Sequence, residues 1–588
     1  MFSLFLIGFI LTNAECANTF DEELLLKELG HGFTAFHFNF VSRALEYENQ
    51  HSHSDVIPKS ILDLTSKYGV DEVHLSLVRG FWDDERWGRN FVRAAPTGAE
   101  LWAWFRQDTV NVDQSWFELT HALSGQFCAS LNRLAGEAHS VIPRWSYRPT
   151  GISNLARNLN ESKIMRYAQM PGEGLCSENL TPWVKLLPCK NLKGLASLLL
   201  PTALFLSNYQ AVTLNLRRVC WDLSCSHIGF ELSQTLTVVF DRRLIYGNTN
   251  IPWTVTGLLR ADFKGFCDIA RSSRVFILHS ASTVKSNYSE LPQSRSQVTD
   301  PRVEAVLSAP LFFESGRRIS FTSRLVESTL PDSPFISVTK YVTGSGTADG
   351  GVRTIITSSS DFNLTIVYMD PLPWYTQVLF STMKIHIRKR NTLEWIDFSP
   401  IRSHIVPSLS RERMGLLELV LFVPARHELA ISYKFRRVLQ RWDEYPPDAN
   451  RGYFLPAASI SYQIPRPAFL TLSNQISPSR RELALPNWAE TYFQWFNRTS
   501  STDWLPGDGF VRIHSPVLVI AMPTPDFSMP FNALCIVCSV VALLFGSVHK
   551  ATACRLHAKL ETSGRSNRLL EKLRKIFSKS RPPKDKTD

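Results

Sequence analysis

The sequence lacks the short motifs that mark common hydrolytic and phosphate-binding active sites. It contains no G-x-S-x-G elbow, and its nearest approach to the zinc-protease motif H-E-x-x-H, His427 to Ile431, has no second histidine. The glycine-rich stretch Thr343 to Gly351 precedes a strand-like pattern and not a helix, so it predicts a hairpin loop. These absences favour a protein that binds or scaffolds over one that catalyses.

Groups suited to acid–base, thiol or metal chemistry occur only in weak contexts. The acidic runs Asp83-Asp84-Glu85 and Asp443-Glu444 are compatible with a glycosidase, but they are more typical of solvated turns. His31 has no cysteine of matching local sequence with which to form a Cys/His protease. The cysteine pairs lack zinc-ligand spacing and nearby histidines. We therefore assign no catalytic residue, cofactor or metal.

Positive charge is missing ahead of the first apolar run. Phe2 to Leu11 has the length of a signal-peptide core and is followed by small residues, but no lysine or arginine precedes it. The run is short for a membrane span, and an N-terminal anchor or core helix is the alternative. We predict a cleaved signal peptide over residues 1–17.

Lysine and arginine are also absent from Ile513 through His549. Within this stretch Phe531 to Val548 is apolar throughout and, as a helix, is about 27 Å long, close to a bilayer core. We predict a transmembrane helix over residues 531–549. The tail, residues 550–588, holds twelve Lys/Arg against four Asp/Glu, and the positive-inside rule places it in the cytosol.

The basic tail accounts for most of the net charge of +11. The charge therefore indicates membrane topology and gives no reason to expect nucleic-acid binding. A basic amphipathic helix around Leu569 to Phe577 and a solvated tail are both compatible with the sequence. Lys584 and Lys586, at the fifth and third positions from the C-terminus, match a dilysine retrieval signal for endoplasmic reticulum membrane proteins.

Cysteine is scarce, at 10 residues, and topology divides the set further. Cys16 leaves with the signal peptide, and Cys535, Cys538 and Cys554 lie in the span or the cytosol. Six remain on the outer side, where an oxidising compartment permits disulfides; spacing alone does not fix their pairing. Two short bridges are compatible with the spacing, Cys220–Cys225 within a turn and Cys176–Cys189 around CSENLTPWVKLLPC, the latter worth about 3 kcal/mol. We expect Cys128, which adjoins an apolar helical stripe, to be a buried free thiol.

Five N-x-S/T sequons fall on the predicted outer side. Asn179 is disfavoured as an acceptor because Pro182 follows its sequon. The remaining glycosylation candidates are Asn160, Asn287, Asn363 and Asn497, with Asn160 and Asn287 favoured.

The periodicity of the chain changes along its length. Pro58 to Gly69 predicts a helix, with proline at its start and glycine after its end, and an apolar stripe from Trp116 to Leu134 predicts another. After about Val219, short runs with period two predominate, such as Lys384 to Arg388 and Leu416 to Val423, which predicts an antiparallel β-sandwich.

We therefore predict an α+β, β-rich fold with one transmembrane helix. Its expected parts are a mixed α/β lumenal region (18–218), a sandwich-like lumenal region (219–522), a proline-rich membrane-proximal collar (523–530), the span and the tail. The prolines of the collar are expected to prevent helix formation at the lumenal membrane face.

Several long stretches resemble one family from about residue 20 to the end of the span. They are Gly80 to Gly88 (GFW…WG), Pro96 to Phe105 (PTGAELWAWF), Ser124 to Asn132 (SGQFCASLN), Cys176 to Cys189, Glu231 to Asp241 (ELSQTLTVVFD), Pro373 to Tyr375, Arg441 to Tyr453 (RWDEYPPDANRGY) and Pro523 to Asn532 (PTPDFSMPFN). The chain looks like the T subunit of the glycosylphosphatidylinositol (GPI) transamidase.

The resemblance implies a non-catalytic structural subunit of an endoplasmic reticulum membrane complex that attaches GPI anchors to precursor proteins. In that family the nucleophile belongs to a separate caspase-like subunit, to which the T subunit is joined by a disulfide. The matching cysteine here is Cys176. The resemblance then leaves Cys220–Cys225 and Cys189–Cys267 as internal disulfides.

The resemblance also directs attention to the collar. Asp526, Phe527 and Asn532 are candidate contacts to the GPI lipid, to the C-terminal signal of the precursor or to a neighbouring subunit. Two other classes share the predicted topology: a glycosylated cell-surface adhesion or receptor ectodomain, and a lumenal glycosidase.

Overall fold

The structure is a computed structural model, and it describes part of the 588-residue chain. The described residues are 18–45, 55–88, 90, 95–151, 164–189, 193–221, 225, 227–247, 253–262, 264–265, 267–279, 305–310, 320–321, 334–344, 346, 348–390, 392–445, 451–463, 510–523, 528–557, 571 and 575.

Twenty-four strands lie within these ranges. In the first half of the chain they are β1 (Thr19–Glu28), β2 (Phe33–Leu45), β3 (Val70–Arg79), β4 (Gly98–Phe105), β5 (Ser140–Val141), β6 (Met165–Met170), β7 (Tyr209–Cys220), β8 (Ile228–Asp241), β9 (Trp253–Thr254), β10 (Ser272–His279), β11 (Ala305–Pro310) and β12 (Ser320–Phe321). In the second half they are β13 (Ile336–Thr343), β14 (Asp349–Ser358), β15 (Leu364–Leu372), β16 (Thr376–Lys389), β17 (Ile396–Asp397), β18 (Arg402–Val406), β19 (Gly415–Val423), β20 (His427–Arg437), β21 (Tyr453–Leu455), β22 (Ser459–Gln463), β23 (Phe510–His514) and β24 (Leu518–Ile520).

The described α-helices are fewer, and most are short. They are α1 (Lys59–Tyr68), α2 (Asp84–Trp87), α3 (Val112–Phe127), α4 (Ser177–Lys185), α5 (Pro201–Leu204), α6 (Arg242–Tyr246), α7 (Val255–Leu259) and α8 (Ser528–His557). Both predicted N-terminal helices are present. Helix α1 ends at Gly69, whose left-handed conformation (φ 65°) lets its N–H cap the carbonyl of Thr65.

Ten strands form one large sheet in the order β11-β10-β1-β2-β8-β7-β3-β4-β6-β5. Its neighbours pair antiparallel except β1 and β10, which run parallel with Asp21 opposite Ser272. Strand β2 shows why the sheet is buried on both faces: Phe36, Phe38 and Phe40 alternate with the equally buried His37 and Asn39.

One face of this sheet packs against helices. The phenylalanines of β2 share a core with apolar side chains from α1, α3 and α4, among them Ile61, Trp116 and Trp183. The other face carries a second cluster, in which Trp102 and Tyr167 contact Met369 and Leu416 of the following region. The large sheet is therefore the middle layer between the helices and the second half of the chain.

The second half contains two five-stranded antiparallel sheets, β13-β14-β20-β16-β17 and β18-β19-β15-β22-β23, with one shared apolar core. The core forms because β19 and β20 belong to opposite sheets and direct alternate apolar residues inward, including Leu419, Leu421, Leu429 and Ile431. The predicted sandwich is confirmed.

The sandwich begins later than expected. Residue 219 was predicted to separate the two regions, but β8, β10 and β11 all belong to the ten-stranded sheet. The sandwich sheets run from Ile336 to His514. Strand β8 has a sandwich-like pattern, yet it pairs with β2 and β7, and local periodicity does not encode that choice of partner.

The C-terminal unit, Thr524–Asp588, contains α8. The helix starts at Ser528, inside the segment predicted to be irregular, and it runs past residue 549 to His557. Pro530 lies in its first turn, where a backbone N–H has no partner within the helix and proline is tolerated. The collar prediction was therefore wrong for residues 528–530.

Candidate functional site

The segment CSENLTPWVKLLPC folds as a helix with an exposed cysteine at its start. Leu175 is buried, and Cys176 is the exposed N-cap residue of α4. The Cys176 carbonyl accepts the first helical hydrogen bond from the Leu180 N–H (3.1 Å). The Cys176 side chain is therefore exposed to solvent, while Leu175 before it and helix α4 after it are anchored in the core.

Asn179 holds the backbone of Cys176 in this position. Its Oδ1 accepts hydrogen bonds from the Cys176 N–H (3.1 Å) and the Cys176 thiol (2.8 Å). Its Nδ2 donates to the carbonyls of Phe127 (2.9 Å) and Cys128 (3.0 Å), where α3 ends. One buried amide therefore satisfies free backbone groups at the ends of two helices.

The body of α4 is fixed to the sheet. Trp183 is buried, and its Nε1 donates to the Thr213 carbonyl in β7 (2.9 Å). The Trp183 carbonyl in turn accepts from Gln234 Nε2 in β8 (3.1 Å). Cys176 is thus presented by a helix tied to two central strands.

The two cysteines of the segment have different fates. Cys189 is buried and bonded to Cys267, with the Cα atoms 5.6 Å apart, and Cys220 is bonded to Cys225, at 4.7 Å. Cys128 and Cys176 are free and exposed, as are Cys535 and Cys538 in α8. Cys176 and Cys189 therefore do not close a loop on each other.

Cys128 is a free thiol but not a buried one, in contrast to the expectation from its sequence neighbours. It follows the last residue of α3 and adopts the left-handed conformation (φ 50°), which turns it out of the helical stripe. The apolar stripe itself breaks at the same point, because Leu131 and Leu134 belong to a separate 3-10 turn.

The described sequons differ sharply in exposure. Asn363 is exposed beside β15, and its Oδ1 accepts from the Ala425 N–H (3.0 Å). Asn179 is buried, and its Nδ2, the atom that would carry a glycan, makes the two hydrogen bonds to α3. Asn160, Asn287 and Asn497 lie outside the described residues.

The acidic runs have structural partners. Asp83 caps α2 by accepting from the Arg86 N–H (3.1 Å), and burial, with the neighbouring charges of Asp83 and Glu85, raises the pKa of Asp84 to about 7. Glu444 accepts from Arg411 Nη2 (2.8 Å), a contact that lowers its pKa. Over the described ranges, no three His, Cys, Asp or Glu side chains come together in a group able to hold a metal ion.

Helix α8 contains one segment, Phe531–Thr552, that is long and apolar enough to cross a membrane, with a mean hydropathy of 2.3. Asn532 lies in its first turns and is exposed. Asp526, Phe527, Lys584 and Lys586 lie outside the described residues, as do residues 1–17.

Two buried carboxylates join the large sheet to the sandwich. Glu418 in β19 accepts from the N–H groups of Arg144 (2.6 Å), Trp145 (3.2 Å) and Ser146 (3.0 Å). Glu100 in β4 accepts from two tyrosine hydroxyls and lies 3.7 Å from His514 of β23. Neither residue was singled out in the sequence, where each stands within an apolar strand.

These features define the class: a β-rich, disulfide-containing protein with a candidate membrane span in α8 and an exposed cysteine on a helix anchored to the large sheet. The family model described as "Gpi16 subunit, GPI transamidase component" matches residues 3–245 and 245–578. The chain therefore belongs to the Gpi16 family of GPI transamidase components.

Curated relatives match over nearly the full length. The chain is 31% identical to the human "GPI-anchor transamidase component PIGT", covering 94% of this chain and 93% of the relative. It is 27% identical to the yeast (Saccharomyces cerevisiae) "GPI transamidase component GPI16", with coverages of 97% and 94%.

Solved structures are matched only distantly. A GH20 exo-β-N-acetylglucosaminidase from Vibrio harveyi aligns at 10% identity, with 33% of this chain and 19% of the enzyme covered. The collagen adhesin of S. aureus aligns at 6%, with coverages of 86% and 97%. Both TM-scores are 0.16, so neither match supports the glycosidase or the adhesin alternative.

Proposed function

We propose that this chain is a non-catalytic structural subunit of the GPI transamidase, joined through Cys176 to the catalytic caspase-like subunit. Family membership supports the complex, and the observation that carries the covalent link is the free, exposed Cys176 on an anchored helix. In forming the link, Cys176 and a partner thiol each give up one proton and one electron. A protein disulfide oxidant of the secretory compartment accepts both electrons and is reduced to its dithiol.

The lack of a catalytic role is supported by how the reactive groups are used. The described acidic runs cap a helix or pair with an arginine, and Cys176 faces an asparagine amide rather than a histidine. In Cys–His nucleophiles an adjacent histidine base activates the thiol. The chain therefore assembles and stabilises the complex, and the partner supplies the nucleophile.

The proposed setting is the endoplasmic reticulum membrane, with residues 18–523 in the lumen. A signal peptide over residues 1–17, a span within Phe531–Thr552 and a cytosolic basic tail make it a type I protein. Lys584 and Lys586 act as the retrieval signal. Both disulfides and the exposed Asn363 sequon suit an oxidising, glycosylating compartment.

The decisive experiment compares Cys176 and Cys128, the two exposed free cysteines in the proposed lumenal region. Full-length wild type, Cys176→Ser and Cys128→Ser are expressed with the other subunits, blocked with an alkylating agent, purified from membranes and run on non-reducing gels. The wild type and Cys128→Ser should give a heavier band that contains the caspase-like partner and disappears on reduction. Cys176→Ser should lack it. Persistence of the band in Cys176→Ser would refute the link.

A second proposed contact is made by the membrane-proximal residues. Asp526, Phe527 and Asn532 lie close in sequence to the start of α8, and we assign to them contact with the GPI lipid or the C-terminal signal of the precursor. Because α8 begins at Ser528, replacement of Asp526 and Phe527 by Gly-Ser leaves the helix intact. The replacement should preserve co-purification of the subunits but reduce anchor transfer to a reporter precursor. Unchanged transfer would exclude a contact by Asp526 and Phe527.

A further inference from the structure

The sequon Asn179-Leu180-Thr181 lies between the two cysteines of the segment, but its asparagine faces inward. We infer that Asn179 is the positioning residue of Cys176 and is not a glycan acceptor; the inference rests on the proposed intermolecular disulfide. Its amide is buried and makes four hydrogen bonds within the protein, two accepted by Oδ1 and two donated by Nδ2.

A glycan on Asn179 is incompatible with these contacts. Glycosylation replaces one of the two Nδ2 hydrogens, whereas both are donated, to the carbonyls of Phe127 and Cys128. The buried side chain also leaves no path for a sugar to solvent. The folded chain therefore uses the sequon asparagine for hydrogen bonding.

The same contacts restrict where the thiol of Cys176 can be. A disulfide requires the two Cα atoms within about 4.4–6.8 Å and a narrow dihedral range, so the backbone of each cysteine must be placed accurately. Asn179 Oδ1 fixes the Cys176 N–H, and Asn179 Nδ2 fastens the first turn of α4 to the end of α3. Without the amide, this turn of α4 is free to fray.

The contact of the thiol with Asn179 is temporary, whereas the backbone contacts are not. The Cys176 S–H that donates to Oδ1 is consumed when a disulfide forms, so that hydrogen bond is lost and the sulfur turns toward its partner. The bonds to the Cys176 N–H and to the α3 carbonyls use no atom of the thiol. They hold the same backbone before and after the link is made.

The test uses three full-length variants expressed with the other subunits. Asn179→Ala removes all of the contacts, Asn179→Asp keeps the acceptor for the Cys176 N–H but lacks the two donors, and Thr181→Ala destroys the sequon while retaining Asn179. The readouts are the ratio of covalent to non-covalent partner within the co-purified pool, and the gel mobility before and after endoglycosidase H.

We expect the ratio to fall about fivefold in Asn179→Ala, the effect of losing one helix-capping side chain. Asn179→Asp should not restore it, because a second carboxylate oxygen would face the carbonyls of Phe127 and Cys128 in a buried site. Thr181→Ala should match the wild type in both ratio and mobility. If the ratio of covalent to non-covalent partner is unchanged in Asn179→Ala, Asn179 has only a folding role and the inference is wrong. This holds even if less total partner is recovered. Loss of one glycan in Thr181→Ala would overturn the inference as well.

The outcomes separate this inference from the proposed function. If the covalent band persists in Cys176→Ser, the disulfide assignment itself is wrong. If the band depends on Cys176 but its ratio is insensitive to Asn179, only the positioning role is wrong.

Discussion

Glu22 is a carboxylate in the interior of the large sheet. It accepts hydrogen bonds from the Leu195 N–H (3.0 Å) and the Ser273 hydroxyl (2.6 Å), yet burial is the larger effect and raises its pKa to about 7. Between about pH 4.5 and pH 7 the folded protein holds a proton on Glu22, whereas the unfolded chain, with the ordinary pKa of 4.5, does not. Single buried groups of this kind make the stability of the fold depend on pH.

The pKa of Glu22 predicts falling stability as pH rises from 4.5 to 7, because across that window the folded state binds the extra proton. The contribution of this group is about 3 kcal/mol between the two ends of the window. Glu22→Gln, which mimics the protonated form, should unfold with a smaller pH dependence and gain stability mainly above pH 7. Urea unfolding of the purified protein at pH 5 and pH 8 measures this; equal pH dependence in the two proteins contradicts it.

Among the described residues, Asn363 is the sequon asparagine whose side chain is exposed. Its hydrogen bond to the Ala425 N–H uses Oδ1, so Nδ2 can carry a glycan without loss of a buried contact. Asn363→Gln should increase gel mobility by the mass of one glycan, and endoglycosidase H should abolish the difference. Thr365→Ala, which removes the same sequon, is the matched control. If neither variant shifts, the site is not used.

The role of Asn179 shows what the sequence revealed at this scale. The sequence disfavours Asn179 as a glycan acceptor because Pro182 follows its sequon. A polar residue three positions after an N-cap is the pattern of a capping box, so this signal was present. The contacts to Phe127 and Cys128 were not foreseeable, because they depend on how α3 packs beside α4.

At the scale of elements, α4 and the segment after it are held at both ends. The N-terminal end is held by Asn179, and the far end by the Cys189–Cys267 disulfide, which connects it to the loop before β10. The loop closed by this bond is long, with a sequence separation of 78, so the chain-entropy model gives it about 4.5 kcal/mol.

Loss of the Cys189–Cys267 bond should therefore lower the free energy of unfolding by about 4 kcal/mol, measured by urea unfolding of Cys189→Ser with Cys267→Ser. The double variant is preferred, since it leaves no unpaired thiol to form a wrong bridge. Removing Cys220–Cys225, with a separation of 5, should cost only about 2 kcal/mol. Equal losses in the two double variants would contradict this explanation.

Local sequence patterns predicted where strands occur better than they predicted which strands pair with each other. The alternation in Leu416 to Val423 and Leu429 to Phe435 correctly marks β19 and β20, and it shows which side chains face the core. The sequence of neither strand indicates that the two belong to opposite sheets, because the apolar–polar alternation is the same in every antiparallel sheet with one buried face. The misplaced boundary at residue 219 has the same origin.

At the scale of the whole body, the two halves are connected by buried polar groups as well as by apolar contacts. Burial alone would raise the pKa of Glu100, but the hydrogen bond and charge of His514, with His74 and Arg512, lower it to about 2. Glu418 is fully buried and accepts from backbone N–H groups across the interface. Such carboxylates require their partners to stay in place, so the halves should unfold together.

Glu418→Gln tests this connection, because the Nε2 donor of glutamine would replace one carboxylate oxygen and face backbone N–H groups from which that oxygen now accepts hydrogen bonds. We expect a loss of about 3 kcal/mol and a separation of the single unfolding transition into two, observed by calorimetry. Glu428→Gln, at a partly buried pair with Arg388 within one sheet, is the control and should cost less. A single unfolding transition with unchanged midpoint in Glu418→Gln would show that apolar contacts suffice.

Strand β1 is synthesised first and is enclosed late. Its outer neighbour β10 follows 251 residues later, which at 5–20 residues per second corresponds to about 13–50 s of translation. Throughout this interval the outer edge of β1 has no β10 to cover it, although β2 is already available on the other side. A message truncated between the codons for Asp241 and Ser272 would encode every residue around Cys176 and yet yield a chain whose sheet edge stays open to aggregation.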